Sequence, residues 1–125
     1  LIREYSAGTD DYQLAFPKGL MEEGETVMQA ANRELKEEVG FGATELEQLK
    51  GMSLAPGYFS HQMSLVLARG LFPEKLIGDE PEPLEVVLWP VDEIDSLLSQ
   101  KDFTEARSIA GLLMTERYLK QEHSS

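Results

Sequence analysis

One stretch, residues 19–41, constrains the fold more than any other part of the sequence. Thr26 followed by Gln29 fits a capping box, which predicts that a helix begins near Thr26. Gly40 stands where a residue in the left-handed conformation commonly ends a helix. The sequence therefore predicts a helix over residues 26–39, preceded by a loop over residues 20–25.

The predicted helix carries acidic residues at the end that disfavours them. Glu34, Glu37 and Glu38 fall in its last two turns and share one face, because they are three and four positions apart. The negative end of the helix dipole lies there, and two carboxylates about 5 Å apart repel by roughly 3 kcal/mol at an effective dielectric near 20. A divalent cation bound by all three would compensate, and Mg²⁺ prefers such hard oxygen ligands. The alternative interpretation is a solvated acidic face.

The same stretch resembles the Nudix box, GX5EX7REUXEEXGU, in which U is an aliphatic or bulky apolar residue. All nine defined positions are met over 23 residues, and they include Gly19, Glu25, Arg33, Gly40 and Phe41. The resemblance implies the Nudix fold, an α/β/α sandwich with a mixed β-sheet, as a single domain over residues 1–125. It also implies that an N-terminal segment is absent, since Nudix folds normally have a strand before the point where this sequence opens.

The resemblance implies specific roles for residues of the box. The three helix glutamates would bind Mg²⁺, with Mn²⁺ as an alternative, and the backbone carbonyl of Lys18 would join them as a ligand. Arg33 and Glu25 would form an ion pair that orients the loop and positions the ligands; a direct contact between Arg33 and phosphate is the alternative. The implied reaction is attack of water on a phosphorus of a nucleoside diphosphate linked to another group.

The reaction needs a general base, or a metal-bound water that replaces it. In some family members the base lies in the box, where Glu37 is the candidate. In the ADP-ribose branch it lies in a later loop carrying Glu-x-Glu, and this sequence has Glu80-Pro81-Glu82 just before a predicted strand. We therefore expect Glu80 to be the base and Glu82 to support a metal. A solubilising loop is the alternative, and Asp79 and Glu85 rank below.

Candidate substrate-binding residues lie outside the helix. Pro56 stands 15 positions after Phe41, about the spacing that marks the ADP-ribose branch. Tyr58 or Phe59 in the same loop is expected to stack on adenine or line a ribose pocket, although a turn with core aromatics is an equal alternative. Arg3 and Lys18 are candidates for phosphate contacts.

The resemblance also implies substrates and assembly. Relatives with similar sequences cleave ADP-ribose, adenosine dinucleoside polyphosphates and reduced NAD to AMP-containing products, and they are commonly homodimers. A strict ADP-ribose pyrophosphatase is one alternative. A non-catalytic nucleotide sensor is another, but sensors usually lose box glutamates and none is lost here. An acidic interaction module without a ligand would not need these spacings.

Composition excludes other classes of protein. Eleven Lys and Arg against 23 Asp and Glu give a net charge of −12, which disfavours nucleic acid as a partner. No apolar run approaches the length of a membrane span. The chain has no Cys, so a disulfide or a thiol nucleophile is excluded. These features predict a cytoplasmic protein that acts on a small molecule.

The remaining pattern predicts strands over residues 1–5, 12–16, 49–54, 63–71 and 84–89, and helices over residues 91–98 and 102–119. Residues 41–47 are predicted to be a connector and residues 121–125 a frayed tail. The apolar run in residues 63–71 is typical of a central strand. On the last helix, a wide apolar stripe is predicted to face the core: Phe103, Ala106, Ile109, Ala110, Leu112 and Leu113.

Overall fold

Two groups of strands, each followed by one or two α-helices, make up the computed structural model, which describes residues 1–6, 11–54, 57, 62–78 and 84–124. The strands are β1 (Ile2–Ser6), β2 (Asp11–Ala15), β3 (Phe41–Ser53), β4 (Gln62–Pro73) and β5 (Glu85–Val86). The helices are α1 (Val27–Glu38), α2 (Ile94–Leu98), which follows a 3₁₀ turn at Val91–Glu93, and α3 (Ala106–Ser124). None of the helices in the described segments combines the length and apolarity that a bilayer span needs.

Contacts between residues divide the chain into two compact units. The first unit comprises Leu1–Pro17 and Ile77–Ser125, and the second comprises Lys18–Leu76. The expectation of a single domain over residues 1–125 stays a prediction.

The first unit holds a three-stranded antiparallel sheet in the order β2-β1-β5. The prediction of a strand over residues 84–89 is wrong at its ends, because only Glu85–Val86 pairs with β1. The predicted helix over residues 91–98 is confirmed as the 3₁₀ turn followed by α2. The hydrophobic core of this unit is built by buried side chains of β2, α2, α3 and the turn before α3: Leu14, Ile94, Leu97, Phe103 and Leu112.

Helix α3 begins at Ala106, four residues later than predicted. The Glu105 carboxylate accepts hydrogen bonds from the amides of Arg107 and Ser108, both at 3.0 Å, and so caps the first turn. Asp102 lies outside the helix, and its carbonyl oxygen accepts from the amide of Leu14 at 2.9 Å. Asp102 therefore makes a long-range contact with Leu14, although the local sequence favoured it as the start of the helix.

The far end and the apolar face of α3 also differ from expectation. The helix continues to Ser124, so the predicted frayed tail is wrong for residues 121–124. Leu112 is buried, whereas Leu113 is 44% exposed. The stripe that faces the core is therefore narrower than predicted.

The second unit places α1 against an antiparallel ribbon formed by β3 and β4. Residues 41–47, predicted to be a connector, are the first half of β3, so that prediction is wrong. A register shift between Gln48 and Lys50 interrupts the alternation of side chains along this strand. The strand predicted over residues 63–71 is confirmed within β4, although among the described residues its one strand partner is β3 rather than the two that a central strand would have.

Helix α1 begins and ends as predicted to within one residue. The Thr26 amide donates to Gln29 Oε1 at 2.9 Å, and the Gln29 amide donates to Thr26 Oγ1 at 3.1 Å, which confirms the capping box. Gly40 has φ of 82°, the left-handed conformation expected after a helix end. Ala30 is the buried residue of the helix, which allows close approach to the ribbon.

Candidate active site

The acidic end of α1 lies against the backbone that enters the loop. The Lys18 amide donates a 3.0 Å hydrogen bond to Glu38 Oε2. A Cβ added to Gly19 would overlap the Glu34 carboxylate group, so any side chain at this position would displace that carboxylate. The first glycine of the box is therefore explained by its contact with a predicted metal ligand.

Arg33 binds four residues around it with all five of its N–H donors. Nε and Nη2 donate to the two carboxylate oxygens of Glu25 at 2.7 and 3.1 Å, and Nη2 also donates to the Leu20 carbonyl at 2.8 Å. Nη1 donates to Glu34 Oε1 at 2.8 Å and to Glu37 Oε2 at 3.2 Å. Since no N–H is left over, this geometry favours the predicted ion pair over a direct contact between Arg33 and phosphate.

Negative charge exceeds positive charge around this guanidinium. The Glu25, Glu34 and Glu37 carboxylates contact it, Glu22 Oε1 lies 3.7 Å from Nη1, and Glu38 lies in the last turn of the same helix. The side chains of Arg33 and its three close partners are only 17–20% exposed, so water screens them incompletely. The region is accordingly suited to bind a cation.

Hydrogen bonding between Arg33 and Glu25 shifts the pKa of both groups. The bond from Arg33, helped by the Glu22 amide, lowers the pKa of the Glu25 carboxyl below its ordinary value of 4.5. The bond to Glu25 raises the pKa of the Arg33 guanidinium far above its usual range. Both groups therefore keep their charges at neutral pH.

The predicted metal ligands fit a divalent cation by the chemistry of their donors. Glu34, Glu37, Glu38 and the Lys18 carbonyl supply only hard oxygen atoms, which Mg²⁺ prefers. Across the described ranges, no three acidic or histidine side chains converge on one point. Glu34 and Glu37 face Arg33 instead, and Glu38 faces the Lys18 amide. The glutamates would therefore have to reorient toward a bound cation.

Other predicted site residues belong to the first unit or are not described. Arg3, in the first unit, donates to Asp102 Oδ2 at 2.5 Å and pairs with Glu85 at 3.3 Å. The predicted base and metal support, Glu80 and Glu82, lie outside the described residues, as do Asp79 and the predicted substrate loop residues Pro56, Tyr58 and Phe59. Their roles stay predictions.

The structure also brings to the site a residue that the sequence did not suggest. Lys75, which follows β4, donates from Nζ to the backbone carbonyl of Glu37. Its neighbours bond to the same end of α1 through their amides, Glu74 to the Gly40 carbonyl at 3.0 Å and Leu76 to the Lys36 carbonyl at 3.2 Å. Lys75 and Glu37 are too far apart in the sequence for their spacing to indicate a contact. Only a prediction that β3 pairs with β4 could have indicated it.

Replacing Gly19 by Ala is expected to displace the Glu34 carboxylate, because the new methyl group would occupy its position. We expect cation affinity to fall about tenfold, the size of effect seen when groups that orient ligands are changed. Titration with Mn²⁺, followed by electron paramagnetic resonance of the free ion, measures this. Gly51→Ala is the control, since no atom lies within 4 Å of the added Cβ. Equal affinities in the two variants would contradict the contact.

The lowered pKa of Glu25 predicts how stability responds to acid. The Glu25 carboxyl holds its proton less tightly in the folded protein than in the unfolded one. Its contribution to the free energy of unfolding is therefore complete above pH 4.5 and is lost as pH falls through the folded pKa. Glu25→Gln should therefore lower the melting temperature at neutral pH, and its difference from wild type should shrink below pH 4.5. Thermal melts at a series of pH values test this, with exposed Glu23→Gln as the control. A difference independent of pH would refute it.

The chain is similar to proteins that are already known. A family model described as the NUDIX domain matches residues 1–112. The ADP compounds hydrolase NudE of Escherichia coli (strain K12) is 55% identical over 120 residues, which are 96% of this chain and 64% of that protein. The ADP-ribose pyrophosphatase of Bacillus subtilis (strain 168) is 26% identical over 86% of this chain and 60% of its own length.

A solved structure described as a crystal structure of ADP compounds hydrolase superposes with a TM-score of 0.94 at 54% identity. The match covers 97% of this chain and 65% of that one. This chain therefore spans less than two thirds of the length of these relatives. The match to the family model covers most of the chain, and the close structural match confirms the expected α/β fold. The chain belongs to the Nudix family.

Proposed function

We propose that the protein is a divalent-cation-dependent pyrophosphohydrolase that cleaves ADP-linked compounds to AMP and a phosphorylated product. One observation carries the proposal: Glu34, Glu37 and Glu38 lie at one end of α1, around Arg33 and the Lys18–Gly19 backbone. The similarity to a protein named ADP compounds hydrolase supports the choice of substrate class. ADP-ribose, reduced NAD and adenosine dinucleoside polyphosphates are the proposed substrates.

The proposed reaction adds water across a phosphoanhydride bond. Oxygen from water bonds to one phosphorus, the bridging P–O bond breaks, and the leaving phosphate keeps the bridging oxygen. The water proton passes to a base, for which Glu80 is proposed with Glu82 as support, while Glu37 is the candidate within the box. Their position in the sequence and the resemblance support these assignments.

Residues of α1 and the loop would hold the cation. Bound Mg²⁺, or Mn²⁺, neutralises phosphate charge and lowers the pKa of the attacking water. Glu34, Glu37, Glu38 and the Lys18 carbonyl are the proposed ligands. Arg33 and Glu25 are proposed to position them, since Arg33 holds Glu34 and Glu37 on one nitrogen atom and Glu25 on the other two. The excess of carboxylates gives the cation its binding energy.

Further features of the proposal come from the resemblance. Pro56, Tyr58 and Phe59 are proposed to shape the adenosine pocket, and Lys18 and Arg3 to contact phosphate. Arg3 would have to exchange at least one of its two carboxylate partners for phosphate. A homodimer in the cytoplasm is the proposed form of the protein.

The proposal is tested by incubating the purified protein with Mg²⁺ and, in parallel, ADP-ribose, reduced NAD, diadenosine triphosphate and a nucleoside triphosphate. We expect AMP from the ADP-linked compounds, a much smaller yield from the nucleoside triphosphate, and no product after chelation. Separation of the products by chromatography identifies which bond was cleaved. Absence of product from every compound, with calorimetric binding retained, would instead identify a nucleotide sensor.

A strict ADP-ribose pyrophosphatase is the second candidate. The spacing from Phe41 to Pro56 and the similarity to the Bacillus subtilis enzyme favour it. The same experiment separates the two functions, because this candidate releases AMP from ADP-ribose and leaves reduced NAD and diadenosine triphosphate intact.

A further inference from the structure

The last turn of α1 is bonded to a segment that follows β4. We call Glu74, Lys75 and Leu76 the clasp. The Glu74 amide donates to the Gly40 carbonyl, the Leu76 amide donates to the Lys36 carbonyl, and Lys75 Nζ donates to the Glu37 carbonyl. Carbonyl groups in the last turn of a helix have no partner within the helix, so the bonds to Lys36 and Glu37 complete the helix from outside, and the bond to Gly40 holds the residue that follows its C-cap.

Side chains reinforce the same contact. Lys36 Nζ pairs with Glu74 Oε2 at 2.9 Å, across the clasp. Lys75 Cδ lies 3.6 Å from the position that a Cβ on Gly40 would take, so the stem of Lys75 passes over this glycine. A larger residue at position 40 would meet that stem besides being strained at φ of 82°. The backbone bonds of Glu74 and Leu76 on either side therefore hold Lys75 at the helix end.

The positive charge of Lys75 offsets the negative charge at the end of α1. Three glutamates stand near the negative end of the helix dipole, where cations stabilise and anions destabilise. Arg33 binds Glu34 and Glu37, but it is shared with Glu25. Lys75 instead contacts the main chain of Glu37 itself, one residue before Glu38.

We propose that Lys75 acts as a built-in counter-cation for the end of α1. It stabilises the last turn, and with it Glu37 and Glu38, while no metal is bound. This inference rests on the proposed function, because it takes these glutamates to be metal ligands. A bound metal ion and Lys75 then neutralise the same negative charge, so each stabilises the protein less when the other is present.

The test compares Lys75→Met, which keeps a long stem but removes the charge, with Lys75→Arg, which keeps it. Lys50→Met is the control, since Lys50 is exposed on β3 of the same unit and its loss changes net charge equally. Thermal melts are recorded in a chelator and in saturating Mg²⁺. We expect Lys75→Met to melt lower than wild type in the chelator, to recover most of that loss in Mg²⁺, and Lys75→Arg to resemble wild type.

Binding of Mn²⁺ without substrate gives a second readout. Lys75→Met should bind Mn²⁺ about threefold more tightly than wild type, because one repelling unit charge is removed from the surroundings of a divalent ion in a screened, high-dielectric region. Equal melting losses in chelator and in Mg²⁺, or weaker Mn²⁺ binding, would overturn the inference. A wild-type protein that Mg²⁺ fails to stabilise would refute the metal site of the proposed function, whereas the other outcomes leave that site standing.

Discussion

Replacing Glu38 by Gln is expected to lower turnover about 10³-fold, the scale seen when one preorganised electrostatic group is removed from an active site. Glu38 is a proposed cation ligand, and an amide oxygen binds a hard cation far more weakly than a carboxylate does. The fold should survive, because the Gln side chain can still accept the hydrogen bond that the Lys18 amide now donates to Glu38. Steady-state release of AMP from ADP-ribose measures the loss.

The same substitution should slightly stabilise the metal-free protein. Glu34 and Glu38 are like charges four residues apart on α1, and removing such a pair is worth about 0.3 kcal/mol. Chemical denaturation in a chelator measures this change. Glu45→Gln, on an exposed position of β3, is the control for net charge. Turnover at the wild-type rate in Glu38→Gln would show that the glutamates of α1 do not bind the catalytic cation.

The second large effect is expected for Arg33→Lys. Lysine keeps the positive charge but replaces the planar fork of five donors by three donors on one atom, so it cannot hold Glu25, Glu34, Glu37 and the Leu20 carbonyl together. We expect turnover to fall about 10²-fold, the upper range for groups that orient metal ligands. The melting temperature should fall as well, because half-buried carboxylates lose their partner.

Separate measurements of kcat and KM locate the effect of Arg33→Lys. If Arg33 positions ligands, kcat falls and the cation concentration for half-maximal activity rises, whereas KM for the nucleotide changes little. If Arg33 contacts phosphate, KM for the nucleotide rises instead. Arg117→Lys, on an exposed position of α3, is the control. An unchanged kcat in a less stable Arg33→Lys protein would show that the residue supports the fold alone.

Features determined by neighbours in sequence were predicted correctly. Thr26 and Gln29 are three positions apart and satisfy one another, and Gly40 adopts the conformation that few other residues tolerate. The ion pair between Glu25 and Arg33 followed from the family pattern and is present. These features depend on backbone groups and charges that are already close along the chain, so a single sequence reveals them.

Features determined by distant residues were missed. Gly42 looked like the start of a connector, but it is buried in β3, where an added Cβ would lie 2.6 Å from the ring of Phe72 on β4. Asp102 resembled a helix start, but Arg3 and the Leu14 amide bind it, and Glu105 caps α3 instead. In each case a tertiary contact outweighed a local preference. The sequence shows the local preference but does not show the tertiary contact.

Part of the candidate site was predictable for the same reason. The three glutamates and Lys18 belong to one continuous stretch; Glu38 bonds to the Lys18 amide, and Glu34 and Glu37 bond to Arg33. Lys75 was not predictable, because it reaches Glu37 only after β3 and β4 have paired along their length. The orientation of Glu34 and Glu37 toward Arg33 was also missed, since carboxylates without a cation turn to the nearest donor.

The two ends of α1 become fixed at different times. Thr26 and Gln29 can close the first turn as soon as the chain around them exists, whereas two carbonyls of the last turn accept hydrogen bonds from Lys75 and Leu76, which follow the whole ribbon of β3 and β4. Local contacts form sooner than contacts that close long loops. During synthesis on the ribosome, we therefore expect the first turn of α1 to form before its last turn, because Leu76 is added long after Gln29. The end of α1 that carries Glu37 and Glu38 therefore depends on the hairpin of β3 and β4 for its final hydrogen bonds.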